Sequence, residues 1–249
     1  ELYDPAEATI AAAGGCVRLG VSAERFDFDG SRVAGLRTGE DGKLEADAYV
    51  AALPFDRLGK LCTDLMFASD ARLRRLDALT VSPIIGVHLT LRRADSRPAM
   101  QLPHAVLAQS PLQWVFRKDH DPARGTYLHG VISAAHDLVD KPAEQIVTMA
   151  VYELRKHVRE AVDAELTLAR VVKEKRATFA AVPGVDRIRP EATGEIENLI
   201  LAGDWCRTGW PATVEGAVRS GYRAAEATLD LLNPASAPHR LTPPDYPVS

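Results

Sequence analysis

An eighteen-residue run near the end of the chain, Leu201 to Val218, constrains the fold more than any other segment. Asn198-Leu199-Ile200-Leu201-Ala202 leads into it as a short apolar strand of the kind buried in parallel sheets. Gly203 then lets the backbone approach a neighbouring group closely, and Asp204 places a carboxylate at the end of the strand. A loop through Trp205, Trp210, Pro211 and Ala212 runs into a helix expected from about Thr213 to Leu232. The carboxylate can accept hydrogen bonds from sugar-type hydroxyls. The helix start at Thr213 and Val214 offers free N–H groups and the positive end of the helix dipole to an electron-rich group. Gly216 costs the first helical turns roughly 1 kcal/mol against alanine, which makes sense where a helix must press against a flat ring or a neighbouring backbone. Gly203-Asp204 alone would be an ordinary turn; the run as a whole suits a polar cofactor.

The rest of the chain alternates between helical and strand patterns. Residues 5–13 are Ala-rich and expected to be helical, stopped by Gly14-Gly15. Short β segments are expected at Cys16–Val21, Arg32–Thr38 and Ala48–Leu53, with turn signals at Asp29-Gly30 and Asp41-Gly42. Pro54 ends the last of these, and a short helix carrying Leu58 and Leu61 follows. Leu73, Leu76 and Leu79 mark a helix face among Arg72, Arg74 and Arg75, which read as a solvated rim. Ile85, Val87, Leu89 and Leu91 alternate with Gly86, His88 and Thr90 at strand period. Further strands are expected at Leu112–Phe116, Tyr127–Ser133 and Leu166–Phe179. A helix from Ala143 to Val162 is expected to turn Val147, Val151, Leu154, Val158 and Val162 to one face.

Composition narrows the function classes. The 249 residues are 46% hydrophobic and 26% charged, enough apolar matter for a sizeable core. The formal net charge is -4 and no basic run could track a phosphate backbone, so nucleic acid is not an expected partner. Cys16, Cys62 and Cys206 lie far apart, as free thiols of a reducing cytoplasm do. The seven histidines, His88, His104, His120, His129, His136, His157 and His239, show no mutual ligand spacing, so no metal is expected. His88 reads as a paired structural residue on the face opposite Val87 and Leu89. Asp119-His120-Asp121 could supply a proton donor, but reads equally as an exposed turn. The sequence singles out no catalytic residue. No stretch approaches the roughly 18 apolar residues that span a bilayer. Glu1-Leu2-Tyr3-Asp4 carries no initiator methionine and reads like the interior of a longer sequence: a fragment, a processed product or one half of a split protein.

The run beginning at Ala202 resembles the C-terminal FAD motif of the flavin-containing amine oxidase superfamily, which includes phytoene desaturases and protoporphyrinogen oxidase. The likeness is greatest to its squalene-associated branch, the hydroxysqualene dehydroxylases of hopanoid-producing bacteria. It rests on Ala202-Gly203-Asp204-Trp205, Thr208-Gly209-Trp210-Pro211-Ala212-Thr213 and Glu215-Gly216-Ala217-Val218-Arg219-Ser220-Gly221. Glu174-Lys175-Arg176-Ala177-Thr178-Phe179, Arg189-Pro190 and Thr193 fit the same branch, and Asp47 to Pro54 resembles the superfamily's return strand into the flavin domain. The resemblance implies that Asp204 bonds the ribityl or pyrophosphate part of FAD. It also implies that the backbone from Pro211 to Val214 lies by the pyrimidine edge of the flavin and that Val21, ending its strand, meets adenine. Ala52 and Pro54 would lie where the chain passes the cofactor. The superfamily's G-x-G-x-x-G loop is absent from this sequence, since Gly14-Gly15 lacks the third glycine.

The resulting expectation is an α/β plus α+β fold. Residues 1–60 and 186–235 would build part of an FAD-binding domain, 61–185 an inserted substrate domain with a mixed sheet, and 236–249 a tail. The expected protein is a cytoplasmic enzyme, peripheral to the inner membrane, acting with FAD on an apolar isoprenoid, with the pyrophosphate held by an N-terminal Rossmann-bearing polypeptide. Ile85, Val87, Leu89 and Leu91 are expected to line an apolar groove. The competing readings are a carotenoid-type desaturase, an amine oxidase and a non-catalytic interaction subunit.

Overall fold

A computed structural model describes residues 4–39, 42–236 and 238–241. The chain forms two compact units, one from the described residues up to Ala78 and from Asp186 onward, the other from Leu79–Val185. The boundary thus lies eighteen residues later than the sequence-based 60/61, because residues 61–78 pack with the first unit. Asp70 and Arg72 are what hold them there. Asp70 caps the following helix, and Arg72 donates to its carboxylate at 2.6 Å and to the carbonyls of Ala192 and Leu199. Arg72 is therefore buried, not part of a solvated rim. Burial would raise the Asp70 carboxyl, but the Arg72 hydrogen bonds and charge hold it below its ordinary value.

The first unit opens with helix α1 (Asp4–Ala12) and an antiparallel three-stranded sheet, β1 (Ala23–Phe28), β2 (Val33–Thr38) and β3 (Gly42–Leu44). Cys16–Val21 is coil, not the expected strand, and the Asp41 half of the Asp41-Gly42 turn lies outside the described residues. Strand β4 (Tyr49–Ala51) pairs in parallel with β10 (Leu199–Leu201), all three of whose residues are wholly buried. Asn198 ties this ladder to β2, accepting from Val33 N–H at 2.9 Å and donating to Val33 C=O at 2.9 Å. Helices α2 (Phe55–Leu61), α3 (Asp64–Ser69) and α4 (Ala71–Arg74) follow β4, and α6 (Val214–Leu232) packs on β10 through Ala224.

The second unit is a five-stranded sheet in the order β6 (His104–Val106), β7 (Trp114–Asp121), β8 (Gly125–Ser133), β5 (Val81–Arg92), β9 (Glu165–Phe179). Every neighbouring pair is antiparallel, which corrects the expected mixed sheet. The reason lies in the connections. A tight turn joins β7 to β8, and β9 returns through α5 (Ala143–His157) to the free edge of β5, running opposite to it. Asp119, His120 and Asp121 finish β7 and do not form a turn; His120 Nδ1 lies 3.0 Å from the Thr126 hydroxyl. Helix α5 stops at His157 because Val158 adopts an extended backbone. Its buried face runs through Ile146, Ala150, Val151 and Leu154 and on to Val158; Val151, Leu154 and Val158 are buried as expected and Val147 packs half-buried on the core, whereas Val162, past the helix end, is exposed. Ile85, Val87, Leu89 and Leu91 pack solid in this core and line no groove. His88, on the opposite face as expected, stacks on His129. No helix among the described residues is long and apolar enough to cross a membrane.

Candidate functional site

Parallel strands β4 and β10 end together. Ala202 N–H donates to the Ala51 carbonyl at 3.1 Å, so Ala52 and Gly203 leave the ladder at the same carboxyl-terminal edge. Ligands of α/β sheets sit at that edge, where the chain turns away and backbone groups come free. Gly203 has φ +149°, and a Cβ on it would lie 2.3 Å from the Trp205 indole nitrogen. The glycine is required because Trp205 folds back beneath it. The Trp205 ring is 1% exposed, donates to the Leu53 carbonyl at 2.8 Å and meets Phe55 edge-on at 6.4 Å. Trp205 thus anchors the site from the core, and its side chain is not a cofactor-facing group. The same indole fixes the Ala52–Pro54 corner, where Pro54 is the residue preceding α2. Asp204, by contrast, is only half-buried.

Three arginines set the loop from Asp204 to Pro211. Arg189, 2% exposed, donates to the carbonyls of Asp204 (2.9 Å), Cys206 (2.6 Å) and Trp210 (2.7 Å). Arg223, from α6, donates to the carbonyls of Arg207 (2.6 Å) and Thr208 (3.1 Å). Arg219 stacks its guanidinium 4.7 Å from the Trp210 ring and pairs with Glu215. A planar guanidinium can satisfy several carbonyls at once, each such bond contributing about 1.5–3 kcal/mol. Burial pushes the Cys206 thiol up to about 12, so it stays protonated. Five loop carbonyls are committed inward in this way.

At the loop's end Thr213 caps α6, its hydroxyl accepting from Gly216 N–H at 3.1 Å. The N–H groups of Val214 and Glu215 have no intrahelical acceptor, and Thr213, Val214 and Glu215 are exposed. A Cβ on Gly216 would lie 2.6 Å from the Pro211 carbonyl oxygen, so this glycine serves a neighbouring backbone. The structure therefore brings Ala52 and Pro54 together with Gly203, Asp204 and Trp205. It also joins that corner, through Arg189, to Pro211, Ala212, Thr213, Val214 and Gly216. Val21 stands apart, half-buried in coil two residues before β1. Arg189 and Ser220, which accepts from Gly203 N–H at 2.8 Å, enter the sequence reading only as part of the resemblance, and Arg223 does not enter it. An arginine among prolines and glycines near a turn was the available signal. The loop offers a half-buried acceptor carboxylate, Asp204, and at its other end the exposed N–H donors of a helix N-terminus. It fits the hydroxylated chain and carbonyl edge of a flavin cofactor.

Comparison with known proteins follows the same line. The family model described as flavin containing amine oxidoreductase matches residues 3–229. The chain is 31% identical over 245 residues to 15-cis-phytoene desaturase of Synechococcus elongatus, covering 92% of this chain and 50% of that protein. It is 32% identical over 231 residues to hydroxysqualene dehydroxylase of Rhodopseudomonas palustris, with the same two coverages, 92% and 50%. It thus spans about half the length of these curated relatives. Among solved structures, a triple mutant of putrescine oxidase shares the fold with a TM-score of 0.63 at 14% identity, over 90% of this chain and 51% of that one. An oxidoreductase from Methanosarcina mazei does so with 0.61 at 17% identity, over 85% and 50%.

Proposed function

This chain belongs to the flavin-containing amine oxidoreductase family, whose cofactor is FAD, and on that premise we propose that it forms the C-terminal, flavin-contacting part of an oxidoreductase acting on an apolar isoprenoid. The favoured reaction is reductive dehydroxylation of hydroxysqualene to squalene, in which the hydroxyl leaves as water and a hydride takes its place. The observation that carries the cofactor half of this reading is the arginine-held loop between β10 and α6. With its carbonyls turned onto Arg189 and Arg223, the loop presents Asp204 and the α6 N-terminus in a fixed relation. Bound FAD would supply the hydride chemistry. Asp204 would accept hydrogen bonds from the ribityl hydroxyls, and the Val214 and Glu215 N–H groups would meet the electron-rich pyrimidine edge. The pyrophosphate would be held by a G-x-G-x-x-G element on a Rossmann-bearing polypeptide, because this sequence contains none.

The substrate half rests on the hydroxysqualene dehydroxylase relative. The phytoene desaturase relative, of nearly equal identity, supports a second reading in which an unhydroxylated isoprenoid is oxidised. Flavin-loaded enzyme containing this chain, supplied with hydroxysqualene and a reductant, is expected to yield squalene by chromatography. Desaturation of phytoene in place of that reaction would move the assignment to the second reading. Oxidation of putrescine with neither isoprenoid turned over would overturn both.

A further inference from the structure

Strand β9, the longest of the five, stands at one edge of the antiparallel sheet. Its inner side pairs with β5, and no strand among the described residues pairs with its outer side. An edge of this kind presents backbone N–H and C=O groups to any strand that can align with it. Proteins usually blunt such an edge with a short strand, a proline or a lysine. β9 runs for 15 residues and contains no proline. Its lysines are turned elsewhere: Lys173 Nζ donates to the Lys141 carbonyl, and Lys175 Nζ to the Asp140 carboxylate at 2.8 Å. The register to β5 is unbroken from Leu168 to Glu174. Over that stretch Ala169, Val171 and Lys173 lie opposite the core residues Leu89, Val87 and Ile85. Arg170, Val172 and Glu174 lie opposite His88, Gly86 and Ile84, on the open face, and all three are exposed. Arg170 makes no ion pair among the described residues, and Glu174 accepts only from Arg176 N–H, at 3.4 Å. The two charges stand two residues either side of Val172, which is 43% exposed. The pattern is thus complementary to its own reverse. Turned about a two-fold axis at Val172, Arg170 of one copy meets Glu174 of the other, and the reverse pair forms with it. Facing residues of antiparallel strands share a face of the sheet, so both ion pairs flank Val172 on the open side. Moving the axis by one residue loses both pairs, so charge sets the register.

We propose that the outer edge of β9 pairs antiparallel with β9 of a second copy of this chain, about a two-fold axis at Val172, joining two five-stranded sheets into one. A foreign strand would need an acid opposite Arg170 and a base opposite Glu174 at the same spacing; a second copy supplies both by symmetry. The test is the oligomeric state of the full chain, followed by sedimentation equilibrium over a concentration series. The wild type is expected to form a reversible dimer that weakens as salt is raised. Arg170→Glu and Glu174→Arg each turn two opposite-charge contacts into two like-charge ones. Each should weaken the dimer about tenfold, or about 1.4 kcal/mol. Mixing the two variants restores opposite charges at both contacts, and the mixture should dimerise about as well as the wild type. Amide hydrogen exchange across residues 170–174 should slow as the wild-type dimer fills. Circular dichroism checks that each variant is folded. If either is not, Arg170→Gln and Glu174→Gln, which only remove charge, should still weaken the dimer. A wild-type chain that stays monomeric at every concentration overturns the pairing and leaves the edge to a strand of another protein. A dimer that no charge change weakens overturns it too, as do folded reversal variants whose mixture stays monomeric.

Discussion

Asp204 and Arg189 sit on the same loop and separate two kinds of contribution. The Asp204 side chain is half-buried, whereas its backbone carbonyl is what Arg189 holds. Asp204→Ala keeps the backbone carbonyl that Arg189 holds, and in flavin-loaded enzyme it should weaken FAD retention about tenfold to hundredfold, as expected for losing a carboxylate hydrogen bond worth roughly 1.5–3 kcal/mol. Unchanged flavin absorbance after gel filtration would return Asp204 to an ordinary turn residue. Arg189→Met should act the other way round. Three carbonyls lose their donor, so thermal stability should fall by about 3 kcal/mol or more, and flavin should be lost along with it. An Arg189→Met protein that melts like the wild type would show that the loop needs no such anchor. Only one of these roles was legible beforehand. A Gly-Asp after an apolar strand announces itself, but an arginine reads as a surface residue until its carbonyl partners, fifteen to twenty-one residues away, are brought beside it. Arg72 was misread for the same reason: its partners Ala192 and Leu199 lie 120 and 127 residues further on.

Elements were legible in proportion to how one-sided their burial is. Strand β5 alternates strictly from Ile85 to Leu91, and Ile85, Val87, Leu89 and Leu91 are all in the core. Strand β1 escaped notice because it is polar and largely exposed, with only Phe26 buried. Cys16 to Val21 carries the apolar pattern instead, but among the described residues no strand pairs with it. In α5 both period and phase were legible at Val151 and Leu154, with Ile146 and Ala150 widening the buried face, and Val162 is exposed because the helix has ended before it. Helix α6 was placed almost to the residue, because Thr213 as cap and Gly216 as a misfit both mark its first turn. Gly216 also supplies the prediction at this scale. Replacing it with alanine gains about 1 kcal/mol in helix propensity but drives a Cβ to within 2.6 Å of the Pro211 carbonyl oxygen. The clash should win. Gly216→Ala is expected to lower the melting temperature and loosen flavin, and a stabilised variant with full flavin content would refute the close approach.

For the molecule as a whole, the sequence contains no phosphate-binding glycine loop. The 249-residue chain purified alone is therefore expected to carry little FAD, and stoichiometric flavin absorbance in that preparation would show that other residues cradle the pyrophosphate. The two-unit division was legible from the change of pattern near the middle of the chain. The antiparallel character of the five-stranded sheet was not, because strand direction depends on connections and not on periodicity. The first unit is split in sequence around the second, and its central ladder pairs Tyr49 with Leu199. That pairing has a cost in time. A ribosome adding about 5–20 residues per second leaves β4 waiting roughly 8–30 s for β10 to emerge. Throughout that interval Tyr49 and Ala51, both buried in the finished fold, have no strand to cover them. Leu79–Val185 is contiguous and can complete its own sheet first. The nascent chain thus passes through a half-folded stage whose exposed segment is the very strand that later leads to the site, and this is the interval in which chaperone engagement would matter most.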